Sequence, residues 1–151
     1  MVGKTKAANA ADKRRMGLIG EQHFGCIPCL KYGRESLATV QHVTEGFKRK
    51  GHHATYGCCT WHHFGTPFEG YDRQRMTELI GPSLAFNRRE YKSCFGGEVN
   101  LIAVQDWLLE CYNESPWPTF CMPVELRIQA AEWLNAELQN RAGWQVSDAP
   151  D

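Results

Sequence analysis

The chain has 151 residues, 42% apolar and 23% charged, with 17 basic and 17 acidic side chains and a formal net charge of zero. That length supports one domain with its own core, and no apolar run approaches the roughly 18 residues a membrane span needs, which sets a membrane protein aside. The charge is graded along the chain: residues 1–50 carry +6, residues 101–151 carry −6, and the middle third is balanced, so the basic front suits a polyanion such as nucleic acid and the acidic end a solvated helical face or a protein contact.

In chain order, residues 1–22 are small, polar and basic without sustained periodicity, and are expected to form a flexible basic arm or an irregular helix. The arm lacks the apolar centre of a secretory signal. With no signal peptide and with ligand-pair spacing among the seven cysteines, metal is a better reading than a disulfide framework, and the cytoplasm is the expected compartment. Gly25-Cys26-Ile27-Pro28-Cys29 reads as a zinc knuckle, a tight turn whose amides hydrogen-bond thiolates. The β-branched run 39–43 predicts a short strand, residues 45–51 a glycine-bounded basic loop, residues 55–58 a returning strand, and residues 59–64 a helical turn stopped by Gly65 and Pro67.

Beyond this ββα outline the signals are helical. Residues 72–80 are closed by Gly81-Pro82 and residues 86–95 by Gly96-Gly97; Leu101, Val104, Leu108 and Cys111 form one amphipathic stripe, residues 115–118 break it, and a last helix runs from about 124 to 141. The expected fold class is α+β: a small ββα-metal, treble-clef-like core with a zinc knuckle, followed by packing helices. The expected boundaries are an arm at 1–22, a zinc-binding domain at 23–112 and a helical extension at 113–151.

The stretch 51–65 holds four of the six histidines and two of the seven cysteines. Cys59 and His62 repeat the two-residue spacing of Cys26 and Cys29, and together the two pairs supply four ligands for a closed tetrahedral Zn²⁺ site. Cys58 competes with Cys59 for this role, but the positions two and three beyond it, Thr60 and Trp61, cannot complete a pair. Cys94, Cys111 and Cys121 are expected to be buried free thiols. His42 in the first strand and His63 in the short helix remain. Phosphodiester hydrolysis needs a base to activate water and a divalent cation to polarise the phosphate, and these two histidines could converge on one phosphate to provide the base and a cation ligand, with His52 or His53 polarising His42.

Taken together, Cys26-x-x-Cys29, Gln41-His42-Val43, Gly51-His52 and the run from Tyr56 to His63, continued by Gly81-Pro82-Ser83-Leu84-Ala85, Tyr91 and Phe95-Gly96, resemble the phage recombination-enhancement (Ref-like) nucleases, a RecA-dependent branch of the HNH superfamily. The resemblance covers about residues 24–110. It implies an HNH-like endonuclease that cuts DNA where a RecA filament has paired a strand, with His42 as general base, His52 standing where HNH enzymes more often have asparagine, and His63 binding a catalytic Mg²⁺ or Mn²⁺. Gln41 departs from the pattern, since many HNH enzymes have a metal-binding acid or histidine there. Lys4, Lys6, Lys13, Arg14 and Arg15 in the arm, and Lys48, Arg49 and Lys50 beside the site, are expected to hold DNA phosphates without reading sequence. The alternative is a non-catalytic zinc module that binds DNA or a recombination protein, and Gln41 is its best argument.

Overall fold

Asn9 opens the first helix, α1 (Ala10–Gly20): its side chain accepts from the Asp12 amide at 2.8 Å while the Asp12 carboxylate accepts from the Asn9 amide at 3.1 Å, a reciprocal cap of two otherwise orphaned donors. The structure is a computed structural model and describes residues 7–45, 48–49 and 51–142. Leu18 and Ile19 on α1 are buried in the same apolar core as Trp117, Met122, Ala130 and Leu134 far down the chain. This corrects the expectation of a flexible arm as far as residue 22: residues 10–20 are a capped helix packed on the sheet, because a pair of large aliphatic side chains at its end has core to enter. Ile19→Ala is accordingly expected to destabilise the protein by about 2–5 kcal/mol, read from urea denaturation; a change within the error of the measurement would mean that α1 is an appendage after all.

Strand β1 (Thr39–His42) pairs antiparallel with β4 (Thr55–Cys58) in the register Thr39↔Cys58, Gln41↔Tyr56, His42↔Thr55. Between them the expected basic loop contains a second, minimal hairpin, β2 (Thr44–Glu45) with β3 (Lys48–Arg49). The knuckle helix α2 (Ile27–Leu30) has Pro at its first turn and packs on β4, and β4 comes so close that a Cβ at Gly57 would lie 2.5 Å from the Gly25 carbonyl oxygen. Glycine at 57 is what allows the hairpin to press against the knuckle. The Gly57 amide donates to Gln105 Oε1 at 3.0 Å, which ties β4 to the helix behind it.

Helix α3 (Thr60–Phe64) follows β4 directly and ends at Gly65, which has φ 75. A side chain there would collide with the ring of Phe86. Helix α4 (Arg73–Ile80) is N-capped by Asp72, α5 (Arg88–Phe95) by Asn87. Then come the long α6 (Glu98–Glu114) and α7 (Val124–Ala142). Each falls within a few residues of where periodicity and glycine stops predict it. Helix α2 packs on both α6 and α7, and Asn135 on α7 donates to the Lys31 carbonyl at 3.1 Å, so the C-terminal helix backs the knuckle rather than trailing from it. A second apolar cluster, Trp61, Met76 and Ile80, closes over Cys26, Cys29 and Cys59. Among the described residues no helix is long and apolar enough to cross a membrane.

Candidate metal centre and adjoining histidines

Cys26 is the N-cap of α2 and Cys29 lies within its single turn, Cys59 is the N-cap of α3, and His62 lies in the first turn of α3. Their donor atoms all lie within 4.8 Å of one another, and all four residues are buried. Cys29 Sγ to Cys59 Sγ is 3.8 Å; His62 Nδ1 is 3.4 Å from Cys26 Sγ, 3.6 Å from Cys29 Sγ and 3.2 Å from Cys59 Sγ. A tetrahedral Zn²⁺ with Zn–S near 2.3 Å and Zn–N near 2.0 Å requires S···S of about 3.8 Å and S···N of about 3.5 Å, so the four donors stand close to the spacing of a Cys₃His site.

The surroundings suit a cation as well. The His62 Nε2–H donates to the Ile80 carbonyl at 2.7 Å, which leaves the Nδ1 lone pair facing the three sulfurs. That carbonyl comes from the last residue of α4, and the segment after it wraps α3: Leu84 N donates to the His62 carbonyl at 2.9 Å and Trp61 Nε1 to the Gly81 carbonyl at 2.9 Å. Burial pushes the Cys26 thiol well above its ordinary range, and hydrogen bonding with Cys26 pushes Cys29 up likewise, whereas the hydrogen bonds Cys59 receives from Cys26 and Cys29 pull it far down. Three thiolates in one dry pocket repel one another strongly, and a divalent cation is what permits all three to ionise together. The cluster could therefore hold a metal such as zinc. Cys58, which the spacing set aside in favour of Cys59, is not one of the four, and its sulfur lies 3.8 Å from the Tyr91 hydroxyl.

His63, the next residue, faces away from this cluster. The Thr39 hydroxyl donates to the Cys58 carbonyl at 3.1 Å, so its oxygen is the acceptor in the 2.9 Å contact with His63 Nδ1. His63 is thereby held as the Nδ1–H tautomer with its lone pair on Nε2. Burial also lowers its pKa, favouring the neutral ring. The ring stacks on Phe64 with centroids 3.8 Å apart, and Phe64 is itself exposed.

His42 is half-buried, and its Nε2 lies 3.3 Å from His52 Nδ1, with the two rings at 79°. His53 is exposed beside them. Because alternate strand residues face opposite sides, Thr39 and Gln41 share the face that His63 touches, while His42 lies on the other. Gln41 is buried, and its amide donates to the His42 carbonyl at 3.1 Å.

Of the expected phosphate ligands, Lys13 and Arg14 are exposed on α1, with Arg14 donating to Asn113 Oδ1 at 3.0 Å. Arg15 is turned inward to Thr55 and Asp106. Lys4, Lys6 and Lys50 lie outside the described residues, and Lys48 and Arg49 form β3. Spacing in the sequence did not point to Thr39 or to the Ile80 carbonyl, since both act across 18 or more residues. The Gly81-Pro82 helix stop was the one local signal near the latter. Searches of curated proteins and of solved structures found no match to the chain. The model of the family described as recombination enhancement, RecA-dependent nuclease matches residues 8–110, more than half of the chain, and the chain belongs to that family.

Proposed function

We propose that this protein is a metal-dependent DNA endonuclease of the HNH type, acting in phage recombination on DNA that a RecA filament has paired, in the host cytoplasm. The observation that carries the reading is His63: a neutral ring with its Nδ1–H fixed on Thr39 and its lone pair on Nε2, one residue beyond a Cys₃His cluster. The order β1, β4, α3 supports a ββα core. In this reading Cys26, Cys29, Cys59 and His62 hold a structural Zn²⁺, and His63 would hold the catalytic Mg²⁺ or Mn²⁺. A bound divalent cation polarises the scissile phosphate and stabilises the leaving oxygen. As the base, His42 would take the proton from the attacking water while its Nε2 stays paired with His52 Nδ1. His52 orients His42 and disperses the charge that forms on it. Plasmid nicking with Mg²⁺ or Mn²⁺, with and without RecA filaments, tests the proposal, and no cleavage under any of these conditions would reject it.

Lys4, Lys6, Lys13, Arg14, Lys48, Arg49 and Lys50 are proposed to hold DNA phosphates. Because α1 belongs to the core, the informative truncation removes residues 1–8 and keeps the Asn9 cap. It should weaken DNA binding and make the slope of log K against log salt shallower by about 2, for the two lysines lost. An unchanged slope would show that Lys4 and Lys6 touch no phosphate.

A further inference from the structure

Thr55 is fully buried at the start of β4, directly opposite His42 in the sheet, and its side chain has two partners. Its hydroxyl donates to the His52 carbonyl at 2.9 Å and accepts from Arg15 Nε at 2.9 Å. The same guanidinium donates from Nη2 to the Thr55 carbonyl and from Nη1 to Asp106 on α6. Nearby, Val43 N donates to the Ala54 carbonyl at 2.9 Å and Ala54 N to the Gly51 carbonyl at 3.2 Å. The turn that carries His52 is thereby pinned on one side to β1 and on the other to α1 and α6. His52 sits in the middle of it, its carbonyl held by Thr55 and its ring 3.3 Å from His42.

We propose that Arg15, Thr55 and Asp106 are positioning residues that set the His52–His42 pair in register for proton transfer. This rests on the reading of His42 as the base. A guanidinium is the group the arrangement requires: one planar fork reaches both oxygens of Thr55 and still presents a third donor to a carboxylate, which a lysine ammonium cannot do in the same geometry. The Arg15 side chain is 13% exposed, so its charge is largely out of water, and Asp106 compensates it from a position 53% exposed. A largely buried cation on α1, balanced by a carboxylate on α6 and joined through the Thr55 hydroxyl to the carbonyl of a residue in the proposed catalytic pair, is more than the turn needs in order to close, since its backbone bonds already do that.

The test uses the full chain with Thr55→Val, Arg15→Lys and the rescue variant Thr55→Ser. Thr55→Val and Arg15→Lys should lower kcat on saturating DNA by about ten- to a hundredfold, the scale of a misplaced catalytic group, with KM and its salt dependence unchanged. The ¹⁵N shifts of the His42 and His52 ring nitrogens should move in both, and Thr55→Ser should restore rates and shifts. Unmoved ring shifts in the folded variants would overturn the proposal. So would a raised KM and a shallower salt slope with kcat unchanged, which would return Arg15 to the phosphate backbone. If Thr55→Val fails to fold, Asp106→Asn at its exposed site decides by the same ring shifts. If the wild type cleaves nothing, the nuclease reading fails by itself, while the shifts still report whether Arg15 holds the pair.

Discussion

Cys29→Ser and His62→Ala should each strip the protein of zinc, whereas His63→Ala should leave it bound. Wild type is expected to carry close to one Zn²⁺ per chain and the first two variants far less. The effect should extend beyond the site, because the four donors join two very short helices, the single turn of α2 with its N-cap and the five residues of α3 with theirs. A four-residue helix does not persist unaided, and metal-binding free energy is in part folding free energy. Either substitution should therefore cost about 3 kcal/mol or more, a fall in Tm on the order of 10 °C for a chain of this size. The thiolates and the imidazole must be deprotonated to bind, so zinc is held at neutral pH and released as the pH falls. Metal content by atomic spectroscopy and melting by circular dichroism check both parts. Zinc kept in His62→Ala and lost in His63→Ala would exchange the two histidines, and no zinc in the wild type would remove the site.

The largest effect on activity is expected from His42→Ala, which should lower cleavage about a hundredfold or more, the scale of losing a general base, while DNA, divalent cation and zinc still bind. His63→Ala should behave differently: the divalent ion binds more weakly, and raised Mg²⁺ or Mn²⁺ restores part of the rate. The acid limb of the pH profile follows from the burial of His63. Its folded pKa lies below the ordinary histidine value, so the neutral ring is favoured by the fold. The stability this contributes is present above the unfolded pKa and is lost as pH falls through the depressed folded value; cation binding should fail over the same span as a proton takes Nε2. Titrating the cation by calorimetry across that range, in wild type and in Thr39→Val, isolates the hydrogen bond that sets the tautomer. Undiminished nicking by His42→Ala would sink the mechanism drawn here, and a His63→Ala variant that binds cation like wild type would remove that residue from the metal.

The metal cluster was legible in the sequence because its geometry is local. A two-residue interval across a knuckle turn brings Cys26 and Cys29 to one point, and the same interval at a helix start does so for Cys59 and His62, whatever the rest of the chain does. The β1–β4 hairpin, the stop at Gly65 and the helices from Asp72 onward were readable for the same reason: strand alternation, caps and glycine stops act over four residues or fewer. What the tertiary structure decided is the set of contacts that cross the chain. The His62 tautomer came with a carbonyl 18 residues away, and the His63 tautomer with a hydroxyl 24 residues away. Arg15 reads as one more cation in a basic arm until α1 docks and brings it to Thr55 and Asp106, 40 and 91 residues distant. Spacing specifies which donors meet within a turn of backbone; which way a ring or a guanidinium points depends on groups that only packing brings within hydrogen-bond reach.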